Sequence, residues 1–558
     1  MTGIGTMWRT VRHLKGRQIL GRLRFRLWQP APELSAAPPQ RVHAGHWIKP
    51  AMRKPSLVSP AWFHLLNVDH DLDSRGWDDA SVEKLLLYHL HYFDDLNACD
   101  VPDRQTAQRA LVSRWIADNP PAHGTGWEPY PVSLRVVNWI KWFLSGAIPE
   151  PVWVNSLAVQ TRWLRQRLEL HLLGNHLFAN AKALVFAGAY FDGAEGNQWL
   201  RDGVEIIEHE LPEQVLTDGG QFERSPMYHA LAFEDVLELL NLIRTHAPAP
   251  RPLGRLEVML RNSASRMLHW MRCMVHPDSS LGRFNDSADG IAAGLSELER
   301  YAAQLGIDAP RPSNDAITYL SASGYIRAAR GSALALLDVA PVGPDYLPAH
   351  AHADTLSFEL SIGRQRVIVN GGTSCYGNSA QRRFERSTAA QSTVEVAGFD
   401  SSEVWSDFRV GRRARPSPAT IIDWEICCSH DGYHFLPGRP EHRRRWHLGV
   451  GELIVDDRVS PGRPIAVARY ILAPGLSLIA LPAGHWHVMR YDTLVAIVEV
   501  TQGQASAVTA SYAPEFGLRM SVDCLAVTLV NGCASTRWTW DDDAHRGQYR
   551  KRDEASRP

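Results

Sequence analysis

Apolar residues recur with helical spacing through the first half of the chain and break into short runs through the second. From about Val82 to Leu305 they mark one-faced helices, as in Val82-Glu-Lys-Leu-Leu-Leu-Tyr-His-Leu-His-Tyr-Phe and Leu231-Ala-Phe-Glu-Asp-Val-Leu-Glu-Leu-Leu-Asn-Leu-Ile. Beyond about Ser313 the runs are strand-length with turn residues between them: Leu334-Ala-Leu-Leu-Asp-Val, Val367-Ile-Val-Asn-Gly-Gly, Leu453-Ile-Val-Asp-Asp, Thr493-Leu-Val-Ala-Ile-Val-Glu-Val. Neither period crosses the breaker-rich Pro310-Arg-Pro-Ser-Asn-Asp easily. Helices followed by strands imply segregated layers rather than alternating βαβ units. No short-period repeat is visible, but successive helical pairs suit a toroid or solenoid in which each pair buries its face on the next. The pattern divides the chain into a lead-in over 1–80, a helical domain over 81–312, a β domain over 313–545 and a charged tail over 546–558 expected to fray.

Composition adds limits. A chain of 558 residues, 45% hydrophobic and 21% charged, is a soluble globular protein of two or three domains. A net charge of -1 gives no global attraction for nucleic acid, so no nucleic-acid partner is expected. Seven scattered cysteines without a CxxC pair argue against a disulfide framework. The first thirty residues carry Arg9, Arg12, Lys15, Arg17, Arg22, Arg24 and Arg26 and no acid. They lack the apolar run of an export signal, and no window is long and apolar enough for a membrane span. They read as a helix packed on the domain, or one lying on an anionic surface.

Three segments carry candidate chemistry. In Pro348-Ala-His-Ala-His-Ala-Asp354, read as a β-strand, period two places His350, His352 and Asp354 on one face. Three titratable groups there require partners, a metal or a substrate. In Leu172-Leu-Gly-Asn-His-Leu-Phe-Ala-Asn, Asn175 and His176 fall near a helix start, where an amide can donate to an oxyanion or simply cap the helix. In Asp218-Gly-Gly-Gln-Phe-Glu-Arg-Ser-Pro-Met-Tyr-His, Ser225-Pro226 predicts a helix start with Tyr228 in the first turn, and Arg224 nearby would favour its phenolate.

With these segments in order, the chain resembles the heparinase II/III-like polysaccharide lyases. The likeness also includes Leu90-His-Tyr-Phe-Asp, Gly126-Trp-Glu-Pro-Tyr-Pro-Val-Ser-Leu-Arg, Phe284-Asn-Asp-Ser-Ala, Arg386-Ser-Thr-Ala-Ala, Phe408-Arg-Val-Gly-Arg-Arg-Ala and His430-Asp-Gly-Tyr. The resemblance implies a multidomain α+β fold, an N-terminal α/α toroid followed by a C-terminal antiparallel β-sandwich, with a cleft for an acidic polysaccharide. It implies β-elimination at a uronic acid, with Asn175 neutralising the carboxylate and Tyr228 and His350 moving protons. A uronosyl C5-epimerase and a non-catalytic polysaccharide-binding protein of exopolysaccharide assembly are the alternatives. His91, Arg135, His176 and Arg224 are the implied substrate-binding residues. The family setting is the periplasm or cell envelope, whereas the missing export signal points to the cytoplasm.

No cofactor is required for that chemistry, but some relatives hold a structural zinc, whose positions here fall on His352 and His430. The third position is Asn370 where Asp is usual, and a neutral amide is a poor zinc ligand; Asp354 is a candidate substitute. Gln391-Ser392-Thr replaces the common His-Asn-Thr. Trp127, Trp139, Trp405 and Trp446 suit sugar stacking or the core. The clusters Arg412, Arg413, Arg415 and Arg443, Arg444, Arg445 suit anion binding or a solvated face.

Overall fold

The computed structural model describes residues 3–544 except 44, 100–103 and 247–250; the tail over 546–558 lies outside them. Helices dominate up to Leu295–Gln304, and the large sheets begin at Ala316–Leu320. Pro129, Pro151 and Pro226 each open a helix, where a missing N–H costs nothing. The helix Gly174–Tyr190 sits at the centre, packed on Pro129–Leu144, Gly193–Gln214 and Pro226–Thr245. Every residue of it is buried except Asn175 and His176, so a helix covered on all sides leaves only its first turn open. A Cβ at Gly188 would run into the backbone of Leu200, which lets the neighbouring helix Gly193–Gln214 approach closely.

The second half forms a two-stranded sheet that pairs Val404–Trp405 with Arg409–Val410, and two large antiparallel sheets. One has eight strands, running from Thr420–Ile422 through Glu441–Gly449, Glu452–Ser460 and Cys533–Thr539 to Ser477–Ala480. The other has nine, running from Gln504–Glu515 through Ala466–Leu472, Phe358–Ile362 and Ala333–Asp338 to Ala316–Leu320. Val455 and Trp446 of the first share a core with Leu360 and Tyr470 of the second, separate from the helical core. Alternation along Glu441–Gly449 splits its arginines: Arg444 is buried on Asp457 (2.7 Å), while exposed Arg445 pairs with Glu425. That triplet therefore forms no common anion patch. The seven cysteines are unpaired, and among the described residues no helix is long and apolar enough to cross a membrane.

The lead-in, which also carries a small three-stranded sheet over residues 57–71, begins with two helices, α1 (Ile4–Val11) and α2 (Gly16–Leu27), which strap the halves together. On the sheet side, Arg9 Nε and Thr6 Oγ1 donate to Glu403 (2.8 and 2.7 Å), Trp405 Nε1 donates to Thr10 Oγ1 (3.1 Å), and Gln18 Nε2 donates to the Tyr346 carbonyl (3.3 Å). On the helical side, Lys15 pairs with Glu213 and Arg17 with Glu210, and Arg167 donates to the Phe25 and Trp28 carbonyls. Burial works against the Glu403 charge, but Arg9 and the Arg412 N–H hold its carboxyl down at about 2. A depressed folded pKa stabilises the docked strap above the unfolded value and loses that contribution as pH falls towards the folded one. Hydrogen exchange over residues 4–27, corrected for its intrinsic pH dependence, should therefore accelerate between about pH 4.5 and 2. Glu403→Gln should show the released strap already at neutral pH.

Candidate active site

Between the halves lies a cavity of about 490 Å³, within the ~300–1,000 Å³ range of small-ligand pockets. Helical residues line one side, including Tyr88, Tyr130, Asn175, His176 and Tyr228. Segments 345–350, 376–377 and 407–413 line the other. Its aromatic surface is mostly tyrosine, with Phe408 and Phe516, and holds no tryptophan among the described residues: Trp127, Trp139 and Trp446 are buried in the two cores, and Trp405 is held by the strap.

Asn175 enters the cavity because Leu173 (φ 66°) and Gly174 (φ 55°) turn the chain sharply into its helix. Its side chain lies near enough to the Tyr130 hydroxyl, and its backbone N–H to the Glu223 carboxylate, to oppose the upward pull of burial on both groups. His176 stacks near Tyr130, with centroids 4.4 Å apart, and its Nδ1 lies 3.0 Å from Glu169. Burial opposes charge on that ring, but the Glu169 carboxylate outweighs it, so His176 titrates above its ordinary value.

Tyr228 follows the predicted start: Ser225 caps the helix, its Oγ accepting from Tyr228 N (3.2 Å), and Pro226 opens it. The phenol ring stacks on His350 with centroids 3.7 Å apart, and its hydroxyl lies 3.0 Å from the Tyr376 hydroxyl. Burial, then the neighbouring phenols and Asp286, push its pKa well above the usual phenol range. The expected help from Arg224 is absent: its Nε donates to the Ser323 carbonyl (2.9 Å), and it does not line the cavity. Tyr228 is thus a protonated phenol in the free protein.

The segment carrying His350 is not the expected strand. Residues 349–357 are irregular chain between strands Ala333–Asp338 and Phe358–Ile362. They bond to the loop 285–286 instead of a neighbouring strand: Asp286 N donates to the His350 carbonyl (2.9 Å), and Asn285 Oδ1 accepts from His352 N (3.0 Å). His350 Nδ1 and His352 Nε2 still share one anion, Asp286, at 3.1 and 2.8 Å, and Asp354 accepts from the Asn285 N–H. Burial would raise the Asp286 carboxyl, but Arg382, which grips both oxygens, and the two histidines hold it well below its usual range. On its other side, His350 Nε2 lies 3.5 Å from Glu223, whose carboxyl burial pushes up. Asp286, Glu223 and Arg382 were not singled out by sequence, although Asp286 lies in Phe284-Asn-Asp-Ser-Ala.

Other candidates lie elsewhere. Arg135 is buried, donating to Gln160 and to the His91 and Gly126 carbonyls beneath Trp115. His91 is a core ring whose Nδ1 accepts from Trp115 Nε1 (3.0 Å). Neither reaches the cavity. The residues at the zinc positions have other partners. His352 Nδ1 faces the Gln391 amide (3.2 Å), and His430 is spent on Gly432 N and His442. Asn370 bonds Ser357 and Ser392. With every ring nitrogen engaged, these residues do not fit a zinc site. Dialysis against a strong chelator should leave the melting temperature unchanged, measured calorimetrically.

The cavity floor holds a further unforeseen network. Lys141 and Lys182 both bind Glu238, whose carboxyl they hold at about 2 against burial, and Lys182 also meets Asp235 (2.5 Å). Four charges from three helices satisfy one another there, as buried charges must.

Models of the heparinase II/III N-terminus and the heparinase II/III-like C-terminal region match residues 103–305 and 312–539. The chain is 28% identical over 427 residues to FtsZ-localized protein C of Caulobacter vibrioides, covering 73% of this chain and 69% of that protein. It is 31% identical over 123 residues to a heparin-sulfate lyase of Bacteroides stercoris, covering 21% of this chain. That match spans only 18% of the lyase's own length. A crystal structure of heparinase III superposes with a TM-score of 0.65 at 16% identity, covering 84% of this chain and 80% of the other, and shows the shared fold.

Proposed function

The chain belongs to the heparinase II/III-like family, and on that premise we propose that it is a polysaccharide lyase cleaving a uronate-containing acidic polysaccharide by β-elimination. The observation that carries this is the Tyr228–His350 stack at 3.7 Å in the cavity that Asn175 also lines. We read the helices as an α/α toroid, the two sheets as a β-sandwich and the cavity as the cleft between them. The packed helix pairs and the core shared by the sheets support this.

Elimination removes the proton at C5 and builds charge on the adjacent carboxylate. Donors aimed at that charge lower the barrier, and the Asn175 amide at its helix start is placed for it. Proton transfer needs one group poised to accept and one to give. His350, with Nδ1 on the Asp286 carboxylate, presents Nε2 as the acceptor, and the protonated Tyr228 phenol gives its proton to the leaving glycosidic oxygen. The opposite C5 epimer would exchange their roles. Glu223, its carboxyl pushed up beside His350 Nε2, can pass the collected proton onward.

The test is incubation with a panel of uronate polysaccharides, following ultraviolet absorbance of the 4,5-unsaturated uronate. Absorbance should rise with at least one polymer. No rise but solvent deuterium at C5 would mean epimerisation. Silence in both would favour a binding role, a second reading drawn from the relative over most of the chain, which is named for its localisation rather than for a reaction.

A further inference from the structure

The strap also shapes the cavity, since Leu14, Gln18 and Arg22 line it. Among the described residues, most lysines and arginines of the lining are paired: Arg53 with Glu234, Lys84 with Glu128, Lys141 and Lys182 with Glu238, Arg413 with Asp345. Arg22, on α2, and Arg409, in the short strand Arg409–Val410 of the other half, are different. Neither guanidinium has a hydrogen bond or ion pair among the described residues, and both are half-buried in the lining. Both belong to the lining of the same cavity, and after burial the Arg22 charge is the cause that lowers the Arg409 pKa.

Two half-buried like charges cost free energy unless an anion comes between them. The reach of Arg22 extends to His171, which also lines the cavity. That ring precedes Asn175 by four residues, in the segment leading into its helix, and Arg22, Arg409, His171 and Asn175 all line the same cavity. A planar guanidinium fork on each side matches a carboxylate or sulfate.

We propose that Arg22 and Arg409 form an anion subsite that holds the acidic group of a second sugar, neighbouring the one at Asn175, and that docking of the strap completes it. This rests on reading the cavity as the site of a uronate polymer, and it names the substrate class more narrowly: a chain acidic at two neighbouring positions. The subsite exists only while α2 is docked, so conditions that release the strap remove one of its two arginines.

The experiment uses the full chain carrying Tyr228→Phe to prevent turnover. Calorimetry compares two tetrasaccharides of one backbone bearing one or two uronates, and a third with sulfate replacing the second carboxylate. The second acid should strengthen binding about tenfold or more. Arg22→Gln and Arg409→Gln should each abolish that gain while leaving the one-uronate compound within about twofold. Arg22→Glu should make the second acid unfavourable. The sulfate compound decides between carboxylate and sulfate as the natural group. The inference is overturned if the second acid adds nothing, if its gain survives both single variants, or if none of the three compounds binds. A gain that behaves as expected, in a protein whose unsubstituted form produces no unsaturated product, would leave the subsite standing and sink the lyase reading alone.

Discussion

Tyr228→Phe is expected to reduce elimination by about 10²–10⁴-fold, the usual range for losing a positioned acid or base, while substrate affinity stays within a few-fold. The hydroxyl makes one neutral hydrogen bond, to the Tyr376 hydroxyl, so its removal costs the fold only about 1 kcal/mol. The ring and its stack on His350 remain. Initial rates of absorbance at saturating substrate, with a melting curve for the same preparation, separate the chemistry from the scaffold. Because burial raises the phenol pKa well above its ordinary value, Tyr228 keeps its proton throughout the neutral range. Any alkaline loss of kcat should therefore fall above the usual phenol pKa of about 10. Full activity in the variant would remove Tyr228 from the reaction. Full loss of affinity would mean that its role is binding rather than proton transfer.

How much of this site the sequence discloses depends on how local its determinants are. Asn175 and Tyr228 are legible because helix starts are written in neighbouring residues: Ser225-Pro226 caps and opens one helix, and the breakers around Gly174 open the other. The strand assigned to His350–Asp354 fails for a matching reason. Period two was satisfied by the residue types, but the polar groups found hydrogen-bond partners in loop 285–286, more than sixty residues away, and tertiary pairing replaced the ladder. Asp286, Glu223 and the Lys141–Lys182–Glu238 floor are invisible to spacing, since each is defined by charges brought together from separate helices or domains. Arg135 shows the converse. A motif arginine read as a substrate contact donates to two backbone carbonyls and Gln160 in the core, a role that depends on burial rather than on residue type.

The second large effect concerns the anion beneath the histidines. Asp286→Asn should destabilise the protein by about 3–5 kcal/mol, because it leaves the fully buried Arg382 without the carboxylate that both its terminal nitrogens grip. Denaturant melts with a constant slope would measure it. The double variant Asp286→Asn with Arg382→Met should recover part of the loss, since it removes the stranded charge as well as its partner. The acid side follows by linkage. The Asp286 carboxyl is held well below its usual range, so its stabilisation is present above the unfolded value of about 3.9 and is lost as pH falls below it. The variant should therefore lose the steepest part of the wild-type acid limb. Its activity should fall further than its stability explains: the amide no longer fixes which nitrogen of His350 carries the proton, and Nε2 ceases to be a dependable base. If instead the folded fraction of Asp286→Asn turns over normally, then Asp286 serves the fold alone and proton removal must be assigned to a group other than the His350 imidazole.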